Sequence, residues 1–277
     1  MEDRAALLAA LRLQLDFGAD EALDDAPAGL RGTAAIAAAP LAVPVWAPGP
    51  ASGSAPGPAL ALAPGSAPGT ATRPTPPGAS EAAALAAAAT TLDALRDAMR
   101  GFTGSTLHQT ATELVFSDGV PGAPVMLVGD APGADEDRQG LPFLGPAGRL
   151  LDQMLASIGV SRATNAYLTN ILPWRPPGNR SPTEQELALF LPFLRRHVVL
   201  ARPRLLVLLG GTAAKTVLGR RDSISRLRGK WSEVEFEPSE VLPVLVTLHP
   251  ANLTPTPLAK REAWADWLML HRRMNEG

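Results

Sequence analysis

Four apolar runs most constrain what this chain can fold into: Val125 to Val128, Ala166 to Leu172, Arg204 to Gly211 and Leu242 to Leu248. Each reads as a buried strand. Each is followed by a helical pattern: Gly148 to Ile158, with Leu150, Leu151, Met154 and Leu155 inward, Glu184 to Ala201, Thr212 to Leu218, and Pro257 to Met274. Strands buried on both faces and alternating with helices predict an α/β fold, a three-layer α/β/α arrangement with a central four-stranded parallel sheet. Asp130, Asn170, Gly210 and His249 stand at the C-terminal ends of those strands. Open α/β sheets place ligands there, so the four are expected to share one crevice.

The first run is delivered into Gly129-Asp130-Ala131-Pro132-Gly133. A carboxylate cluster follows, Asp130, Asp135, Glu136 and Asp137, and then Gly140-Leu141-Pro142-Phe143-Leu144-Gly145. Pro and Gly bend the backbone off the sheet and leave amides free to face a ligand. On residues alone an ordinary strand-to-helix loop with a solvated acidic face is an equal reading, because a short Gly/Pro turn is weak evidence.

The 277 residues include 25 Gly and 28 Pro, too many for a single compact fold. Residues 1–25 carry a leucine-spaced helical segment that either docks on an unknown partner or has no role. Residues 26–78 read as an Ala/Pro/Gly-rich disordered linker. Residues 79–277 read as the α/β/α domain, opening on an Ala-rich helix from Ala79 to Arg100 with Ser80 as candidate N-cap.

Net charge is −2, but Arg195 to Lys230 holds ten Lys or Arg and one acid, a local +9 against −11 elsewhere. Charge is thus segregated toward one region. With no Cys, disulfides and thiolate-held metals are excluded, and His108, His197, His249 and His271 lack metal-ligand spacing, so no metal is expected. No apolar run approaches the ~20 residues of a membrane span. The Met-Glu-Asp start lacks a basic leader, so a cytoplasmic monomer is the expectation.

GDAPG, then ED, then G-LPFLG-AG-LLD resembles the first motif of the uracil-DNA glycosylase superfamily in its family 4 branch, usually GEAPG, ED, G-PFVG-AG-LLD. The resemblance continues in order through TN with RPPGNR, RG-W and HP-A-L, and covers roughly residues 100 to 272. It implies a DNA-repair glycosylase that acts on uracil-containing DNA. Such an enzyme hydrolyses the N-glycosidic bond of deoxyuridine, releases uracil and leaves an abasic site. No Lys stands at a motif strand end, which argues against a Schiff-base lyase.

Carried onto this chain, the resemblance implies roles residue by residue. Asp130 and Glu136 would orient water and balance cation character on the sugar, and His249 would donate to the departing uracil. Gly129, Ala131, Phe143 and Asn170 would hold the base, with Phe143 as stacking platform and the Asn170 amide complementing uracil N3–H and O4. Arg175, Arg180, Arg226, Arg228 and Leu253 would contact DNA. Taken singly, His249 reads as a strand-end cap, Asn170 as a turn residue, Phe143 as core, Glu136 and Asp137 as a solvated acidic face, and the Arg195, Arg196 pair as a solvated helix face.

The chain departs from the resemblance in three places. Asp130 stands where Glu is usual. Phe102, Ser105, Trp174 and Phe190 align with the four cysteines of an iron-sulfur cluster, so no cofactor is expected. Asn252-Leu253-Thr254-Pro255 replaces an aromatic followed by Leu-Arg. Two rivals remain: a slow or non-catalytic protein that grips uracil-DNA or single strands, and a glycosylase for another deaminated base such as hypoxanthine. A nucleotide-binding α/β protein would need GxGxxG or a Walker Lys, and neither is present.

Overall fold

The computed structural model describes residues 78–237 and 240–276. The expected N-terminal helical segment, and the linker up to residue 77, lie outside them. The strands are β1 (Asp118–Gly119), β2 (Val125–Gly129), β3 (Ala166–Asn170), β4 (Leu205–Leu209), β5 (Trp231–Glu237) and β6 (Glu240–Thr247). The helices are α1 (Ala79–Ala88), α2 (Leu92–Gly101), α3 (Ala134–Gln139), α4 (Gly145–Ser157), α5 (Glu184–Ala201), α6 (Gly211–Leu218), α7 (Ile224–Leu227) and α8 (Pro257–Asn275).

The sheet runs β1-β3-β2-β4-β6-β5. Its four inner strands are mutually parallel, as the apolar runs predict. The four-stranded count is corrected to six, because β1 and β5 add antiparallel edges. Strand β5 was legible: Glu233, Glu235 and Glu237 alternate with Val234 and Phe236, the period of a half-buried strand. Its outer edge is covered by Arg195, whose guanidinium donates to Phe236 O at 2.9 Å and to Glu235 O, while Arg196 donates to Ala89 O at 2.8 Å. Arg195 is therefore a strap across the sheet edge and Arg196 ties α5 to the end of α1, so neither is a solvated face.

Alternation along the inner strands divides the core into the two layers of a three-layer fold. Met126, Val128, Leu206, Leu208, Val244 and Val246 pack toward α1, α2, α5 and α6. Val125, Leu127, Val207, Leu209 and Leu245 pack toward α4 and α8. All eleven are completely buried, which explains why β2 and β4 carry no polar side chain.

The expected helix from Ala79 to Arg100 is two helices. Thr91 breaks it, its hydroxyl accepting the Ala94 N–H at 3.1 Å as the N-cap of α2. Ser80 caps nothing, because α1 starts from Gly78. At α5 the capping box joins Thr183 and Glu186, with bonds of 3.2 Å and 2.8 Å, two residues later than the Ser181-to-Glu184 spacing in the sequence suggests.

The four cysteine-equivalent positions do not fit a thiolate-held cluster. Phe102 and Phe190 meet edge to face at 5.9 Å, Phe193 closes on both, and Trp174 belongs to the same hydrophobic layer. Ser105 turns its hydroxyl to the Leu107 N–H at 3.2 Å. Aromatic packing occupies three of these positions, and none of the four offers a sulfur.

His197 is buried beside them, stacked on Phe116 at 4.3 Å with Nε2 2.9 Å from the Tyr167 hydroxyl. Burial lowers its pKa from 6.5 to about 3. Between those values the unfolded chain binds a proton here that the native state does not. Stability should therefore fall as pH drops from about 6.5 toward 3, by roughly 1.4 kcal/mol per pH unit from this group. Denaturant titrations of wild type and His197→Gln across that range should differ in slope by this amount; parallel curves would remove the assignment. Among the described residues no helix is long and apolar enough to cross a membrane.

Candidate active site

A crevice of about 630 Å³ opens at the C-terminal ends of the inner strands. Strand pairing builds its floor: β2 and β3 run in register with Gly129 opposite Asn170, and β4 and β6 with Leu209 opposite Thr247. The residues just past these ends, Asp130, Gly210 and His249, line the crevice together with Asn170. The convergence expected from the sequence is therefore present. Gly129 lies beneath, where its lack of a side chain is needed: a Cβ there would stand 2.5 Å from Asn170 Oδ1 and 2.7 Å from Phe143 Cζ.

Asp130 is half-buried, and its Oδ1 is buried without a protein hydrogen-bond donor. A carboxylate oxygen left in that state costs on the order of 1–3 kcal/mol, more when charged, so it is retained against stability. His249 stands near it. Its Nδ1 accepts the Ala251 N–H at 3.2 Å, which in the neutral ring leaves the proton on Nε2. Burial lowers the His249 pKa, against the upward pull of Asp130 and Glu136, so the ring is a neutral donor at neutral pH.

Phe143 forms a wall of the crevice, its ring 6.1 Å from that of His249 and tilted by 32°. Its backbone has φ 54°, in the left-handed region that costs a residue with a side chain about 1–2 kcal/mol. Ala131 also lines the crevice. Glu136 faces it from α3, but its Oε1 accepts the Leu144 N–H at 2.9 Å, so this carboxylate braces the loop that carries Phe143. Asp137 is not a solvated acid: it is 3% exposed and accepts the Thr112 N–H at 2.8 Å and its hydroxyl at 3.2 Å.

The five residues assigned to DNA contact separate. Arg180 lines the crevice and is bidentate to Glu186 at 2.6 and 2.9 Å, which lowers that carboxyl's pKa. Arg175 donates to Asn179 Oδ1 at 2.6 Å and stands 3.7 Å from Asp137. Arg226 is exposed on α7 and does not line the crevice.

Arg228 is committed elsewhere. It pairs with buried Asp266 at 2.9 Å, and the same carboxylate accepts the Thr247 hydroxyl at 2.7 Å. Burial raises the Asp266 pKa, with Thr247 and Arg228 opposing. This network staples α8 to the strand that carries His249. Leu253 is 0% exposed, packed in the layer that holds Phe143 and Trp267. Extracting it would cost about 1.5–3 kcal/mol of burial and leave a void, so the wedge expectation is corrected.

Sequence reasoning missed Lys215, which lines the crevice from α6, four residues after Gly211 at its start. Helical spacing from the end of β4 was the signal available. With Arg180 it sets two cations at the mouth. Among the described residues no group of acids and histidines could hold a metal ion.

A family model of the uracil DNA glycosylase superfamily matches residues 116–268. Over 165 residues the chain is 41% identical to the type-4 uracil-DNA glycosylase of Archaeoglobus fulgidus, covering 58% of this chain and 82% of that protein. It is 37% identical over 149 residues to that of Sulfurisphaera tokodaii, with shares of 52% and 67%. For that of Pyrobaculum aerophilum the figures are 35% over 167 residues, 59% and 84%. The motif order along the sequence, the strand-end crevice and these likenesses agree: the chain belongs to the uracil DNA glycosylase superfamily.

Proposed function

We propose that this protein hydrolyses the N-glycosidic bond of deoxyuridine in DNA, releasing uracil and leaving an abasic site. The observation that carries the reading is the pairing of opposite electrostatics on one crevice floor: an unpartnered carboxylate oxygen on Asp130 beside a neutral imidazole donor on His249. Breaking the C1′–N1 bond sends its electrons into uracil and leaves cation character on the sugar. His249 Nε2–H stabilises the uracil anion at O2, and Asp130 faces the sugar and orients the attacking water. The water oxygen bonds to C1′, one of its protons passes to solvent through the carboxylate, and uracil takes up a proton as it leaves. Phe143 stacks on the base. The Asn170 amide pairs with N3–H and O4, a pattern that cytosine reverses, and so rejects cytosine.

In this reading no iron-sulfur cluster takes part, since the chain has no cysteine and aromatic rings fill three of the four positions. Arg180 and Lys215 hold flanking phosphates, which makes binding salt-sensitive. The burial of Leu253 favours single-stranded or frayed substrate, because a base already unpaired need not be pushed out of a stack. The test is strand scission after alkali of end-labelled oligonucleotides bearing one uracil, hypoxanthine or mismatched cytosine, single-stranded and duplex, with enzyme in excess. Uracil-specific scission, faster on the single strand, is the expected result. Salt-sensitive retention without scission would overturn catalysis, and scission at hypoxanthine alone would overturn the substrate.

A further inference from the structure

Phe143 holds a left-handed backbone, so something must keep it there, and the local sequence Leu-Pro-Phe-Leu supplies no glycine at that position. Three groups grip the loop. Arg162 donates to Pro142 O at 3.2 Å and to Phe143 O at 3.0 Å. Glu136 takes the next amide, Leu144 N–H. Gly148, in the first turn of α4, lies under the Phe143 carbonyl so closely that a Cβ would come within 1.9 Å of that oxygen. The guanidinium is itself fixed, to Asp118 on β1 at 2.7 Å and to Asp152 on α4 at 2.9 Å.

We propose that Arg162 is a positioning residue of the site: it ties the sheet edge and α4 to the Phe143 carbonyl, and so sets the ring as the wall against which the extruded base stacks. The proposal rests on the glycosylase reading for its effect on rate, but its structural half stands alone. The side chain type follows from the geometry. Two carbonyls and two carboxylates surround one group, and only a planar fork with five N–H donors can serve them together. A lysine at this position keeps the charge between Asp118 and Asp152 but cannot bridge both carbonyls. Arg162 itself does not line the crevice, so its influence passes through Phe143.

Two readouts test this, on Arg162→Gln and, should that variant fold poorly, on Arg162→Lys. The first is a double-mutant cycle with Phe143→Ala in single-turnover uracil release, below the melting range of every variant. Each single substitution is expected to slow release about 10- to 100-fold, and the double variant to be no slower than Phe143→Ala alone. Multiplying losses, or an Arg162 variant at wild-type rate, would overturn the proposal. Millimolar guanidinium should restore part of the Arg162→Gln rate, and methylammonium should not.

The second readout is fluorine NMR of protein labelled with 4-fluorophenylalanine, with the Phe143 signal identified by Phe143→Leu. In either Arg162 variant that signal should shift or split while the other six phenylalanines hold. An unmoved Phe143 signal would overturn the proposal whether or not the wild type releases uracil. A signal that moves in the Arg162 variants, together with a wild type that never releases uracil, would instead fault the glycosylase reading.

Discussion

His249→Ala is expected to slow single-turnover release of uracil by about 10²–10³-fold, the loss seen when one preorganised donor to a developing anion is removed. Binding of uracil-containing DNA should change far less, because the interaction strengthens only as charge moves onto the base. The effect depends on the protonation of the ring as much as on its place. A cationic histidine would already attract the phosphates of bound DNA, spreading its effect over ground and transition states. Burial keeps this ring neutral, and the Ala251 amide occupies Nδ1, so the one proton left on the ring is on Nε2. His249→Gln retains an amide donor and should fall between the two. Rate constants from quenched time courses at enzyme excess check this; a His249→Ala rate within threefold of wild type would remove the donor from the mechanism.

Phe190→Ala should cost about 3–5 kcal/mol of folding stability. The side chain is 0% exposed and meets Phe102 at 5.9 Å and Phe193 at 6.1 Å, each ring pair adding about 0.5–1.5 kcal/mol beyond its area. The location gives the result its interest. Phe190, with Phe102 and Trp174, stands at positions where the family resemblance implies cluster ligands, so rings must tie α2, the segment after β3 and α5 together without a metal. Urea titration is the measurement, with the midpoint falling at unchanged slope. A loss below about 1 kcal/mol would mean that the ring cluster fills space without holding these segments.

Much of the site was legible from sequence because its residues sit where strands end. A parallel strand buried on both faces is predominantly apolar, so the end of its apolar run marks the lip of the sheet, where a polar residue can face the crevice. Asp130 and His249 follow directly from that rule, and Asn170, the last residue of its strand, from the turn that follows it. The edges obey a different logic. Strand β5 carries its own alternation, but the two-residue β1 has no pattern of its own and exists because β3 offers it a partner.

Three assignments needed the tertiary structure, and they share a cause. Leu253, Arg228 and Glu136 each had a residue type suited to the role expected of it, a wedge, a phosphate contact and a carboxylate orienting water. What decides their roles is who meets them: the layer of Phe143 and Trp267 around Leu253, Asp266 across from Arg228, and the Leu144 amide in front of Glu136. Two of those partners lie on α8, distant in sequence or across the intervening loop, and local periodicity carries no information about them.

The sequence by itself determined the three-layer α/β/α fold, the four inner parallel strands and the strand-end residues that meet in the crevice, because backbone pairing and burial on both faces leave few alternatives for such runs. Only the tertiary structure decided which charged and apolar side chains face the crevice and which brace it. Burial of a side chain is set by partners that chain folding brings together, and the same Arg or Leu serves either purpose.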